Sequence, residues 1–477
     1  MPKKFVFIAV FISILAYVGI AYFIPREEIF SLWALCFLLF VMYAYFLNFT
    51  DKQKEFRFYL LSGVFFRLVF LFGIPLLSND YFRFIWDGRL FVNGFNPYLS
   101  LPSEFIHSPE VEQIAQHQEL YEGMGSLSQQ NYTCYPPINQ LMFAIGAYFI
   151  KENILANIIT MKILIILSEI GSFYFGMRIL QKLKLPLTNI LIYVLNPFII
   201  MELTGNVHWE PVMIFLVILS IFLLMESQWK SSAFFMAMAI SVKLIPLILL
   251  PALLRKLGFK KAVLYYSLTI FFFLLFYMPF FDWDAPENML KSVSLYFDNF
   301  EFNASVFYVI REWGYQAYGY NIIRTAGPWM SLAAFIFILI ISFQKSTETW
   351  KGVLKAMLFG LSTYYFLATT VHPWYISTLL MLSVFGNYRY VVVWSAVIML
   401  SYIAYSNEAF KESRSWFKDE NKLKTVKGAP KGFESFYINF EGKQVFPESW
   451  KGGKPHSGNI AVMKALQREY ERIKNKN

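Results

Sequence analysis

The chain has 477 residues, 57% of them apolar, 20% aromatic and 16% charged, with a net charge of +10 and two cysteines. Ordinary soluble domains run at roughly 45–50% apolar and about 25% charged, so a single water-soluble globule, a disordered chain and a disulfide scaffold are excluded. A polytopic all-α membrane protein remains.

Apolar runs long enough to cross a bilayer are predicted in chain order at Phe5 to Ile24, Ile29 to Leu47, Phe58 to Leu77, Ile154 to Phe175, Thr188 to Leu203 and Val212 to Met225. They continue at Ala262 to Phe281, Pro328 to Phe343, Val353 to Val371, Trp374 to Phe385 and Val391 to Ser406, making eleven crossings. The first run follows Lys3 and Lys4 without a small-residue cleavage site, and another run follows at once, so a cleaved signal peptide is not expected. Two further pieces, Pro136 to Ile150 and Ser232 to Leu254, are short or interrupted, the second at Lys243 and Pro246. If both return to the side they came from, the basic clusters around Lys52, Arg178, Lys230, Arg255, Lys351 and Arg389 all become cytoplasmic. The positive charge is then an orientation signal rather than a nucleic-acid footprint.

This topology puts two long polar loops, Ser78 to Tyr135 and Asp282 to Gly327, on the outer side. Glu104 to Tyr121 is expected to form an amphipathic helix with Phe105, Ile106, Val111, Ile114 and Leu120 toward lipid. The chain divides into an N-terminal transmembrane hairpin (1–57), a catalytic module carrying the outer loop 78–135 (58–177), the remaining bundle with the outer loop 282–327 (178–410) and a polar tail (411–477). A short helix is expected in the tail from Asn459 to Lys474.

Candidate chemistry begins at Asp80, Arg83 and Asp87, which share one helix face with the cation between two carboxylates, followed by Arg89. A carboxylate just outside the membrane can take a proton from a hydroxyl or hold a divalent cation, and arginine can neutralise a phosphate. The competing reading is an ion-pair network that only anchors the helix. Tyr135-Pro136-Pro137 is either a lipid-binding corner or a plain helix start. The run Asn196-Pro197, then Glu202 and Thr204-Gly205-Asn206-Val207-His208-Trp209-Glu210-Pro211, is an outer turn with more polar and ionisable groups than a connection needs, which favours function. Lys243 either snorkels to the cytoplasmic interface or meets an anionic head group. Asn303 lies in the second outer loop and His372 at an outer turn, where His372 could donate to a phosphate oxygen. Trp374 and Tyr375 read best as an interfacial aromatic belt. Arg67, in mid-span, should point into the bundle toward a carbonyl or carboxylate, and Lys162 and Glu169 should form a structural pair or a water-facing edge. No P-loop, Rossmann glycine pattern or zinc-ligand set is present, so a donor already in the membrane suits the layout better than a cytosolic nucleotide.

Asn79-Asp80-Tyr81 with Arg83, Trp86-Asp87-Gly88-Arg89, Asn96-Pro97-Tyr98, Tyr135-Pro136-Pro137, Asn196-Pro197, Gly205-Asn206 with His208, Lys243 with Pro246 and His372-Pro373-Trp374-Tyr375 occur in an order that resembles the GT-C glycosyltransferases using polyprenyl-phosphate sugars. Within that class the chain is most similar to bacterial mannosyltransferase-like members. The resemblance covers Phe58 to Tyr405 and implies a GT-C-like bundle of about eleven transmembrane helices, with short interfacial helices in two long outer loops. It implies transfer of a sugar, mannose first, from a polyprenyl-phosphate donor to a hydroxyl of a lipid-linked or glycan acceptor. Asp80 would be the base or the carboxylate that orients the acceptor, and Arg83, Asp87, Arg89, Tyr135, Asn206, His208, Glu210, Lys243, Asn303 and His372 would bind substrate. Many relatives carry a second carboxylate beside the first, where this sequence has Asn79. No cofactor is expected beyond a divalent cation as an option. The expected partners are donor, acceptor and membrane lipid, with no nucleic acid, and the expected location is a bacterial inner membrane with the site facing outward. The rival reading is a transporter or lipid flippase, which would place its polar groups near the bilayer midplane.

Overall fold

The computed structural model describes residues 3–298, 300–318, 321–386, 388–405, 438–440 and 443–445. Its longer helices follow the apolar runs, and some stop where proline or glycine interrupts the run. In order they are α1 (Lys3–Tyr22), α2 (Ile29–Asn48), α3 (Phe56–Val69), α4 (Asp80–Val92), α5 (Pro102–Phe105), α6 (His117–Gln129), α7 (Pro137–Phe149) and α8 (Ile154–Lys182). Next come α9 (Leu191–Val194), α10 (Pro197–Ile199), a π-helical turn Ile200–Gly205, α11 (Glu210–Met225), α12 (Trp229–Val242), a 3-10 stretch Ile245–Leu253, α13 (Leu254–Leu257) and α14 (Phe259–Tyr277). The rest are α15 (Ala285–Asp298), α16 (Ser305–Tyr318), α17 (Ile323–Ser342), α18 (Trp350–Leu367), α19 (Ile376–Ser383) and α20 (Tyr390–Val397) with a 3-10 extension Ile398–Tyr405. The strands β1 (Ile438–Phe440) and β2 (Lys443–Val445) form an antiparallel pair. The tail helix expected at 459–474 lies outside the described residues.

Among the described residues five helices are long and apolar enough to cross a membrane: Phe5–Tyr22, Ile29–Asn48, Ile154–Lys182, Phe259–Phe280 and Ile323–Ser342. Leu187–Val194 and Pro197–Gly205, bent by 52°, make a sixth if they are one broken span. The other predicted crossings are shorter, apart from α18, which has 18 residues. The run from Phe58 stops being helical at Val69, where Gly73 and Pro75 follow and the Lys162 ammonium donates to the carbonyls of Phe70 and Gly73 at 2.7 Å each. The long helices carry outward aromatics such as Phe30, Phe37 and Phe259, all more than 70% exposed. Patches of this kind fit hydrocarbon rather than water. The chain is an integral membrane protein.

Two expectations change here and a third holds. No continuous amphipathic helix runs from Glu104 to Tyr121. Pro109 and a left-handed Gln116 (φ 54°) divide the segment into α5, a 3-10 turn and α6, and Val111, Ile114 and Leu120 are buried rather than turned to lipid. Lys162 and Glu169 do not pair, because each has a different buried partner. Arg67 does turn inward as predicted, donating to the carbonyls of Gly63 and Val194 and to Glu169, each at 2.8 Å.

The piece Ser232 to Leu254 goes out and comes back. Ser232, near the start of α12, bonds Tyr265 near the start of α14 at 3.1 Å, so the chain between them must reverse. Lys243 is where it turns: φ −149° and ψ 145° end α12, and Pro246 follows.

The chain resolves into two compact units. The larger comprises Met1–Leu295, Ala334–Tyr365 and Val371–Ile403, and the smaller Tyr296–Ala333, Phe366–Thr370 and Ala404–Asn477. In the smaller unit Ala304, Phe307, Ile323 and Met330 form a core, Arg311 pairs with Glu301 at 2.7 Å, and Phe302 bridges Thr370.

Candidate active site

Asp80 is the first residue of α4, where a carboxylate also meets the positive end of the helix dipole. Its Oδ2 stands 3.6 Å from Nε2 of His208, and its side chain keeps 30% of its surface accessible although the helix behind it is buried from Phe84 to Leu90. Burial pushes the carboxyl up, but the His208 imidazole, with smaller contributions from His372 and Lys243, outweighs it and holds Asp80 below its ordinary value. The group is therefore ionised and reachable at once.

His208 is held from behind. Its Nδ1 lies 2.8 Å from the main-chain carbonyl of Glu202, and since a carbonyl only accepts, Nδ1 carries the proton and Nε2 is the atom turned to Asp80. Glu202 sits in the π-helical turn, a distortion frequent at functional sites. Its carboxylate accepts from Tyr402 Oη at 2.6 Å and from Asn206 Nδ2 at 3.2 Å, and lies 3.6 Å from Nδ1 of His208. Between Asn206 and His208, Val207 is left-handed (φ 61°), an uncommon state for a β-branched residue. Such strain clusters at sites where the surroundings fix one geometry.

Aromatic rings pack around His208. Trp374 packs on His208 with ring centroids 3.8 Å apart and stacks on His372 at 4.6 Å and 2°. Burial holds His372 down at about 4, so it is neutral at physiological pH. Lys243 pairs with the buried Glu210 and lies 5.8 Å from the Tyr375 ring. This removes the cytoplasmic snorkel for Lys243, whose side chain is only 15% exposed. It also removes the aromatic-belt reading for Trp374 and Tyr375, which face this cluster.

The remaining predicted residues of the first loop make hydrogen bonds of their own. Arg83 donates to Asp87 at 2.7 Å and to the carbonyls of Ser128 and Asn131, and Gln140 links Asp87 to Thr133. Arg89 donates to the carbonyl of Ala115 and the side chain of Gln116. Tyr135 offers its carbonyl to the Tyr98 hydroxyl at 2.6 Å, and its ring packs on Phe84 and Phe143. These groups brace α4 against the loop. The cation expected between two carboxylates serves Asp87 alone, and Asp80 turns to His208 instead. Asn303 belongs to the smaller unit.

Among the described residues no group of three or more His, Cys, Asp or Glu is placed to hold a metal ion. Residues 18–257 match the family described as alpha-(1->6)-mannopyranosyltransferase, N-terminal domain. The chain belongs to this family. It is also similar to alpha-(1->6)-mannopyranosyltransferase A of Corynebacterium glutamicum, 22% identical over 182 residues, which cover 38% of this chain and 35% of that relative. The chain thus aligns with about a third of the curated relative it matches. Asp80, Glu202, His208 and Lys243 lie within the family match, while His372, Trp374 and Tyr402 lie beyond it.

Sequence reasoning put Glu202 in the functional turn without naming it a site residue, and left Trp374 and Tyr402 out of the site. The signal for Glu202 was present, since an ionisable residue inside an apolar run is a functional candidate by default. Tyr402 gave none, being 200 positions from its partner.

Proposed function

We infer that the protein is a membrane mannosyltransferase that moves mannose from a polyprenyl-phosphate donor to an acceptor hydroxyl on the extracytoplasmic side. The observation that carries this reading is Asp80: a carboxylate kept ionised by its neighbours yet open on one side, in a chain of a mannosyltransferase family. In the transfer, the Asp80 carboxylate takes the hydroxyl proton as the oxygen attacks the anomeric carbon. The bond from that carbon to the phosphate oxygen breaks, and the phosphate leaves with one more negative charge. Lys243 and the neutral His372 supply donors for that charge. A positioned base contributes about 10²- to 10⁴-fold.

Purified protein in lipid nanodiscs, given labelled polyprenyl-phosphate mannose or labelled nucleotide-linked mannose, tests the donor. Transfer from the lipid donor alone supports the reading, and transfer from the nucleotide donor alone overturns it. Right-side-out vesicles should use an externally added acceptor, and everted vesicles should not.

A further inference from the structure

The groups behind His208 have a consequence for Asp80, given that the base assignment above is correct. The ring's Nδ1–H is committed to the Glu202 carbonyl. Nε2 and the Asp80 carboxylate would be two acceptors facing each other at 3.6 Å, an arrangement that a proton between them makes favourable. No side chain but His208 presents itself to Oδ2 at this distance among the described ion pairs. Behind the ring, Glu202 is fully buried and fixed by Tyr402 and Asn206, whose side chains also bond each other at 3.2 Å. The ring can neither flip nor swing without breaking this bracket.

We propose that Glu202, His208 and Asp80 form a positioning chain, in which the buried Glu202 bracket holds the imidazole so that Nε2–H engages one carboxylate oxygen and leaves the other for the acceptor hydroxyl. His208 and Glu202 touch no substrate in this scheme. The proton taken by Asp80 leaves through its open side to water or to the departing phosphate. The other charged or titratable groups around the pair are His372, stacked on Trp374, and Lys243 with its partner Glu210. The contributions of His372 and Lys243 to Asp80 are smaller than that of His208.

The chain can be tested without turnover. A water-soluble carbodiimide with a small amine labels a carboxyl in its protonated form, and mass spectrometry then follows Asp80 labelling against pH in the full-length protein. In the wild type, labelling of Asp80 should begin only below the ordinary carboxylate range. In His208→Gln the opposing effect is gone, burial prevails, and the labelling midpoint moves to higher pH. Glu202→Gln should move it in the same direction by less, and Tyr402→Phe, which removes a single hydroxyl from the bracket, by less again. The phenylalanine variant serves where the other two do not fold. In mannose transfer, His208→Gln should lower kcat on the order of 10²-fold with KM for the donor unchanged. A purely structural role would lower folded yield and leave the midpoint still. A His208→Gln profile that overlays the wild type overturns the chain, as does an unmoved profile in Tyr402→Phe where it is the only variant that folds. Because labelling needs no sugar, a shifted profile in a protein that transfers no mannose would remove the transferase reading and keep the chain.

Discussion

Two ionic clusters of the larger unit reach the same broken helix and end differently. Around Arg67, every partner is inside: Glu169 receives the guanidinium on one oxygen and the Thr204 hydroxyl on the other, at 2.8 Å each, and both charged side chains are fully buried. Four residues further on, His208 meets an Asp80 whose side chain remains 30% accessible. The first cluster is shut away from any substrate, Arg67 Nε lying buried there without a hydrogen-bond partner, so it can only fasten α3, α8 and the π-helical turn together. The second keeps its carboxylate within reach from outside, and an ionised group so placed among titratable neighbours is a candidate for chemistry. Enclosed charges hold the scaffold, and the accessible one marks the chemistry.

That contrast can be broken from either side. Glu169→Ala strands the Arg67 guanidinium in the core and should cost about 3–5 kcal/mol, read as loss of folded protein or a large fall in Tm. Replacing Arg67 and Glu169 together by Met and Leu should recover most of that loss, since a buried pair is often no better than apolar residues of similar size. If the single variant melts like the wild type, the cluster is not the fastening described. Gly88→Ala sharpens the comparison within α4, because its added Cβ would stand 2.5 Å from the Phe143 carbonyl. The expected destabilisation is roughly 1–3 kcal/mol by overpacking. A shift of α4 should also misplace Asp80, so kcat should fall more than the melting point suggests.

The smallest effect concerns acid. His372 is neutral in the folded protein down to about 4, against an ordinary value of 6.5, because burial disfavours its charged form. The unfolded chain therefore binds the proton first as pH falls. The stability tied to a neutral His372 is complete above 6.5 and is lost as pH drops from there toward 4. His372→Gln should flatten the fall in Tm over that window, and an identical pH dependence in the variant would contradict the assignment.

Much of the scaffold could be read from residue order. Mid-span Arg67 had to find a carbonyl or carboxylate, and it finds both. Lys243 with Pro246 announced an interruption, and the chain does reverse there. Asp80 and the His208 turn stood out because ionisable groups at the edge of apolar runs need a reason. What stayed hidden were partnerships that no local period encodes. Lys243 to Glu210 spans 33 positions and turns a supposed snorkel inward, and Tyr402 to Glu202 spans 200. The Asp80–Arg83–Asp87 face was misjudged for a related reason: helical spacing makes neighbours of all three, while tertiary contacts hand Arg83 to Asp87 and Asp80 to His208. Spacing sets which side chains can meet, and packing decides which do.

The account turns on whether the open carboxylate performs the proton transfer. Single-turnover mannose transfer by Asp80→Asn, in protein shown to be folded and to bind donor like the wild type, measures this directly. The account predicts a loss of about 10²-fold or more in the transfer rate, and wild-type transfer by this variant would contradict it.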